Sequence, residues 1–99
     1  MAKFILTNKA VDDLSGIWNY TFDYWSEYQA DKYYLMLLEN CREIAENPNI
    51  GKNYEGIVNR LFGIRVGRHI IFYRKVSEHE VEITRILHEQ MDLKNRMME

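Results

Sequence analysis

Cysteine and proline each occur once in this chain of 99 residues, at Cys41 and Pro48. A single thiol excludes an intramolecular disulfide, so packing must hold the fold. Cys41 falls in an apolar stripe with helical spacing, where a small core residue is its default role. No run of about 18 apolar residues is present, which argues against a membrane-spanning helix. Nothing resembles a secretory leader, so the cytoplasm is the expected compartment. The five glycines are scattered and form no phosphate-cradling loop. His69, His79 and His88 lack the i, i+4 spacing of a helical metal site. Repeats and low-complexity stretches are absent. No metal or cofactor is therefore expected.

What is present is apolar and aromatic. Hydrophobic residues make up 46% and aromatic ones 13%, too much for a disordered chain. The length suits one domain over residues 1–99. The formal net charge is −2, but its distribution is uneven. Residues 60–75 hold Arg60, Arg65, Arg68, Arg74 and Lys75 and no acid. Such a basic surface on an acidic protein fits an anionic partner, either phosphate or an acidic protein segment. A solvated strand edge charged against aggregation fits it equally.

Periodicity supplies the elements. Lys3 to Leu6 reads as a strand and Thr7 as a helix cap. Val11, Leu14, Trp18, Phe22 and Trp25 recur at helical spacing, widened by Ile17, Tyr24 and Tyr28, and these aromatics are expected in the core. Ser26 to Gln29 fits a capping box that ends one helix and starts another. The second helix carries Ala30, Tyr33, Leu37, Cys41 and Ile44 on one face, and Asn47-Pro48 stops it. The short connection predicts an antiparallel helical hairpin. Asn49 to Asn59 reads as a loop. Strands follow at about Arg60–Val66, His69–Val76 and from Val81 on to His88, joined by Gly67-Arg68 and a second short turn. A polar tail closes the chain, with one helical turn around Met91–Met97.

Strand alternation then sorts the sheet into faces. Pairing Val66 with His69 and Val76 with Val81 puts Phe62, Ile64, Val66, His69, Ile71, Tyr73, Thr84, Ile86 and His88 against the helices. The opposite face receives Arg65, Ile70, Phe72, Arg74, Val76, Val81, Ile83, Arg85 and Leu87. No further layer is expected to cover it, and arginines among exposed apolar groups suit protein binding. Arg65, His69, Tyr73, His88 and Glu89 are residue types used in metal-free RNA cleavage. His69 and Tyr73 fall opposite Arg65, however, and read as hydrogen-bonded core groups.

Leu6-Thr-x-x-Ala10-x-x-Asp13-Leu14, Ile17-Trp18-x-Tyr20, Glu46-Asn47-Pro48 with Gly51, Arg65-Val66-Gly67-Arg68-His69, Phe72-Tyr73-Arg74 and Leu87-His88-x-x-Met91-Asp92 span nearly the whole chain. In this order they resemble the ParE branch of the RelE/ParE toxin superfamily. The resemblance implies an α+β fold, β-α-α-β-β-β with a short tail, in which the helical hairpin packs on one face of a mainly antiparallel sheet. It implies the toxin of a type II toxin-antitoxin system, of the kind that stabilises plasmids. Such a toxin inhibits DNA gyrase by binding rather than by catalysis. Its partner would be a ParD-like, ribbon-helix-helix antitoxin in a hetero-oligomer. Neither membrane association nor sequence-specific nucleic-acid binding is implied. RelE-like members instead cleave mRNA on the ribosome with an arginine in the second meander strand, and Ile70 stands at that position here. A RelE-type ribonuclease and a non-toxic partner-binding module are the alternatives. On the gyrase reading, Arg65, Ile70, Phe72, Arg74, Arg85 and Leu87 would meet antitoxin or target, and tail residues His88, Met91 and Asp92 would reach the target.

Overall fold

The computed structural model describes residues 2–56, 58–91 and 93–97. Asp92, expected in the target-binding tail, lies outside the described residues. The chain opens with strand β1 (Lys3–Leu6) and helices α1 (Asn8–Tyr24) and α2 (Glu27–Glu46), followed by a 3-10 turn at Pro48–Ile50. Strands β2 (Lys52–Asn53), β3 (Phe62–Val66), β4 (His69–Ser77) and β5 (Glu80–His88) come next, and a short helix α3 (Leu93–Met97) ends it. The sheet has five strands in the order β1-β5-β4-β3-β2. It is mixed, because β1 runs parallel to β5 while the other neighbours are antiparallel. β2 lies inside the stretch read as a loop; two residues are too few to show an alternation. No described helix is long and apolar enough to cross a membrane.

Local chemistry sets the helix ends. The Thr7 hydroxyl accepts from Ala10 N at 3.1 Å, and Ser26 Oγ accepts from Gln29 N at 3.1 Å. Each thereby satisfies an amide left unpaired by the first helical turn. One layer of core lies between the hairpin and the sheet, where Leu14, Leu37, Cys41 and Ile44 meet Ile71 and Tyr73. Burial pushes the Cys41 thiol up to about 12, so it stays protonated and inert. The Tyr73 hydroxyl donates to Pro48 O at 2.7 Å and accepts from Gly51 N at 2.9 Å. A Cβ on Gly51 would collide with the Tyr73 ring.

Two bulges overturn part of the expected facing. From His69↔His88 to Phe72↔Arg85 the register is the one expected. It then shifts to Tyr73↔Ile83 and runs to Lys75↔Val81, before Ser77 meets Glu80. Each irregularity inserts one residue on one strand, which flips the alternation between them. Val81 and Ile83 therefore face the helices and are fully buried there. The Thr84 bulge is pinned on both sides: Thr84 Oγ1 donates to Phe72 O at 3.2 Å, and the Thr7 hydroxyl donates to Thr84 O at 2.8 Å.

The opposite face is not open. Ile70, Phe72 and Leu87 are buried with Leu61 in a second apolar cluster, covered by Tyr54, Leu93 and Met97. The segments read as loop and polar tail supply this cover. The aromatic stripe of α1 departs from expectation in the other direction. Its buried residues, Ala10 and Leu14, lie in its first half, while Tyr20, Phe22, Tyr24 and Trp25 are exposed, as is Tyr28 at the start of α2. The first half of α1 packs on the sheet, and the second half does not reach it.

Phe72→Ala tests the second cluster. We expect urea denaturation to show a loss of about 3–5 kcal/mol, the cost of a cavity in a sealed core. An open binding face would give a loss within about 0.5 kcal/mol.

Candidate functional site

A groove of about 1010 Å³ runs between the second half of α1 and the end of the sheet formed by the β3–β4 turn and the end of β5. Its floor begins at Gly67, whose φ of +58° suits the first position of a two-residue hairpin turn. A Cβ there would also stand 2.7 Å from the Tyr33 hydroxyl oxygen. That hydroxyl, on α2, accepts from Arg68 N at 3.1 Å and lies 2.7 Å from His69 Nδ1. It therefore clasps the hairpin turn to the helical layer. Burial, reinforced by neighbouring His88, pulls His69 from 6.5 down to about 4, against weaker upward pulls from Asp13 and Glu89. His69 is thus neutral near pH 7, and Nδ1 can accept the tyrosine proton. The rings of His69 and His88 meet edge to face with centroids 5.3 Å apart.

One wall is α1. Asp13 points at β5 beyond the end of β1, where that strand's edge has no neighbour. Its carboxylate accepts Arg85 Nε at 2.8 Å, Arg85 Nη2 at 3.0 Å and Ile86 N at 2.9 Å. Asp13 thus replaces the missing strand and engages the guanidinium fork with both oxygens. Arg85 Nη1 donates to Arg96 O at 2.7 Å, tying in α3. Further along α1, Gly16 leaves open space where a side chain would stand, and Tyr20 and Trp25 line the groove. Arg68 lines it from the turn, with no carboxylate within ion-pair distance among the described residues. Met91 lines it as well.

The residues expected to form one binding face are dispersed. Arg65 pairs with Glu89, Arg74 with Glu82 at 2.9 Å, and Arg85 with Asp13. The first two arginines have side chains 69% and 54% exposed, while Glu89 and Glu82 are only 19% and 29% exposed, so each arginine neutralises a largely covered carboxylate. The Asp13–Arg85 pair, 14% and 12% exposed, is close to a buried bridge. Ile70, Phe72 and Leu87 belong mainly to the second core, although Leu87 also touches the groove. His88 and Met91 do lie together on the groove. Sequence reading missed Tyr33, Arg68 and Trp25 as groove residues. Their partners are remote in sequence, and an aromatic stripe alone does not say which rings stay uncovered. Asp13 stood in a quoted motif, but its partner is 72 residues away.

Aromatic walls, a histidine-tyrosine floor and one uncommitted guanidinium suit an amphipathic peptide carrying carboxylates. They make a poor hydrolytic centre, since His69 is held as an acceptor by Tyr33. Among the described residues no cluster of histidine, cysteine or carboxylate side chains is placed to hold a metal ion.

The His69 shift predicts a pH dependence. The unfolded chain takes up a proton near pH 6.5 and the folded chain near pH 4, so stability falls as pH drops through this window and levels off below it. His69→Gln should flatten that part of the urea-midpoint profile. Tyr33→Phe should cost about 1–3 kcal/mol, since it removes both the bond from Arg68 N and the one to His69 Nδ1.

Comparison with known proteins places these features. Residues 4–93 match the family described as the ParE toxin of the type II toxin-antitoxin system parDE. A Toxin ParE1 of Mycobacterium tuberculosis is 32% identical over 92 residues, covering 93% of this chain and 94% of that protein. A Toxin ParE1 of Caulobacter vibrioides is 34% identical over 92 residues, with the same two coverages. Among solved structures, a chain of the chromosomal ParDE toxin-antitoxin system from P. aeruginosa superposes with a TM-score of 0.73 at 21% identity, over 89% of this chain and 96% of that one. The protein belongs to the ParE toxin family of type II toxin-antitoxin systems.

Proposed function

We propose that this toxin acts by binding DNA gyrase and blocking replication, and that a ParD-like antitoxin neutralises it by laying an acidic, amphipathic segment in the groove. The observation that carries the first half is the place of Ile70. The resemblance puts the phosphate-facing arginine of mRNA-cleaving relatives at this position. Here the side chain is apolar and packed among Phe72, Leu61 and Leu87. It offers no cation for a phosphorane-like charge.

The groove supports the second half. Arg68 meets a carboxylate of the antitoxin, while Tyr20, Trp25 and Met91 take its apolar groups. Arg65 and Arg74, more than half exposed, present the free edges of their guanidinium groups to antitoxin carboxylates while staying paired with Glu89 and Glu82. Arg85, Ile70, Phe72 and Leu87 serve from beneath, by fixing α3 and the groove floor. His88 and the tail beyond it contribute to target engagement. The cytoplasm, where gyrase and DNA are found, is the proposed site of action.

Purified gyrase supplies the test. Added toxin should abolish supercoiling and accumulate cleaved DNA, and the antitoxin should reverse both. Intact gyrase activity beside cleavage of ribosome-bound mRNA would overturn the reading in favour of the ribonuclease. Arg68→Glu should weaken antitoxin binding about tenfold or more, as a charge reversal in a complementary contact does, with the urea midpoint nearly unchanged.

A further inference from the structure

The molecule is electrically two-sided. Residues 8–46, the helical hairpin, carry eight acids against three bases, a net charge of −5. The rest of the chain is therefore +3, given the total of −2. The acidic layer also bears rings that the groove does not use, Phe22 and Tyr28 exposed and Trp18 half-buried. Trp18 stacks on Phe22 with centroids 5.2 Å apart and donates from Nε1 to Asp31 Oδ1 at 2.9 Å across the two helices. Leu35, four residues beyond Asp31 and so on the same stripe of α2, is 63% exposed. Tyr28, three residues before Asp31, is exposed as well. The groove lies on the other flank of α1, where Asp13, Ile17 and Tyr20 line it.

We infer that this outer face of the helical hairpin is a second interaction surface, and that its occupant is a protein surface presenting arginine or lysine side chains among aliphatic ones. Carboxylates beside the half-buried Trp18 indole and the exposed Phe22 and Tyr28 rings recognise cations twice over. The acids pair with the charge and the ring faces attract it. The apolar strip through Trp18, Phe22 and Leu35 takes the aliphatic groups. An acidic segment, which suits the Arg68 side of the molecule, is repelled here. A second copy docked face to face would oppose like charge, since the hairpin without the groove-lining Asp12 and Asp13 still carries six acids against three bases. The two faces thus select partners of opposite charge, and occupation of the groove leaves the outer face free. This inference stands whether or not gyrase is the target.

Two labelled helical peptides with the same leucine pattern test it, one bearing arginine and lysine and the other glutamate. Binding to the full chain is followed by fluorescence anisotropy at low and high salt. The cationic peptide should bind, weaken with salt, and bind at least about tenfold more tightly than the acidic one. The double variant Asp23→Asn with Asp31→Asn should lose about tenfold, because the amide oxygen at 31 still accepts from Trp18 while the charge is gone. Trp18→Ala should lose a similar factor, and Arg68→Glu should not weaken it. Equal binding of both peptides would overturn the inference, as would cationic binding insensitive to the hairpin substitutions. Sedimentation that shows self-association abolished by Phe22→Ala would overturn it in favour of a second copy.

Discussion

The bond between Asp13 and Arg85 is the joint on which the molecule turns. β1 is four residues long and pairs only with the first half of β5. Past that point the strand edge needs another partner, and an unpaired buried amide is costly. Asp13 supplies it by accepting from Ile86 N and by gripping the Arg85 guanidinium. Arg85 in turn holds α3 through Arg96 O. One carboxylate thus aligns α1 with the sheet, sets one wall of the groove and anchors the element that covers the outer core. A pair this enclosed is sensitive to loss of either member, because the survivor is left as a partly buried charge.

The second constraint is the pair of bulges between β4 and β5. Together they leave the overall hairpin unchanged but reverse which residues face the helices over a short stretch. Val81 and Ile83 are recruited to the main core, and Glu82 turns out to meet Arg74. With those apolar groups moved inward, the outer face shrinks to a patch that Tyr54, Leu61, Leu93 and Met97 can cover. The sheet becomes scaffold on both sides. The uncovered concavity lies instead beside α1.

Much of this was legible beforehand. Thr7 and Ser26 announced the two helix starts by their hydroxyls, and Asn47-Pro48 announced the stop. Gly67-Arg68 gave the central hairpin its register, and the resemblance gave the fold and family. The exposure of Tyr20, Phe22, Tyr24 and Trp25 was not legible, because helical spacing reports a stripe and not how far the underlying sheet extends. The bulges were not legible either, since Thr84 and Val76 differ in no local way from regular strand residues. Leu93 and Met97 read as tail because two apolar residues in a polar segment carry no periodic signal. The three arginines seemed free because Asp13, Glu82 and Glu89 come to them through tertiary structure.

A hydroxyl-radical footprint of the chain alone and with its antitoxin would test the central claim most directly, namely that recognition belongs to the groove and not to the outer sheet. The account predicts that Tyr20, Trp25 and Met91 react in the free chain and are protected in the complex, while Phe72 and Leu87 stay unreactive in both. Phe72 and Leu87 reactive when free and protected only by the antitoxin would contradict it.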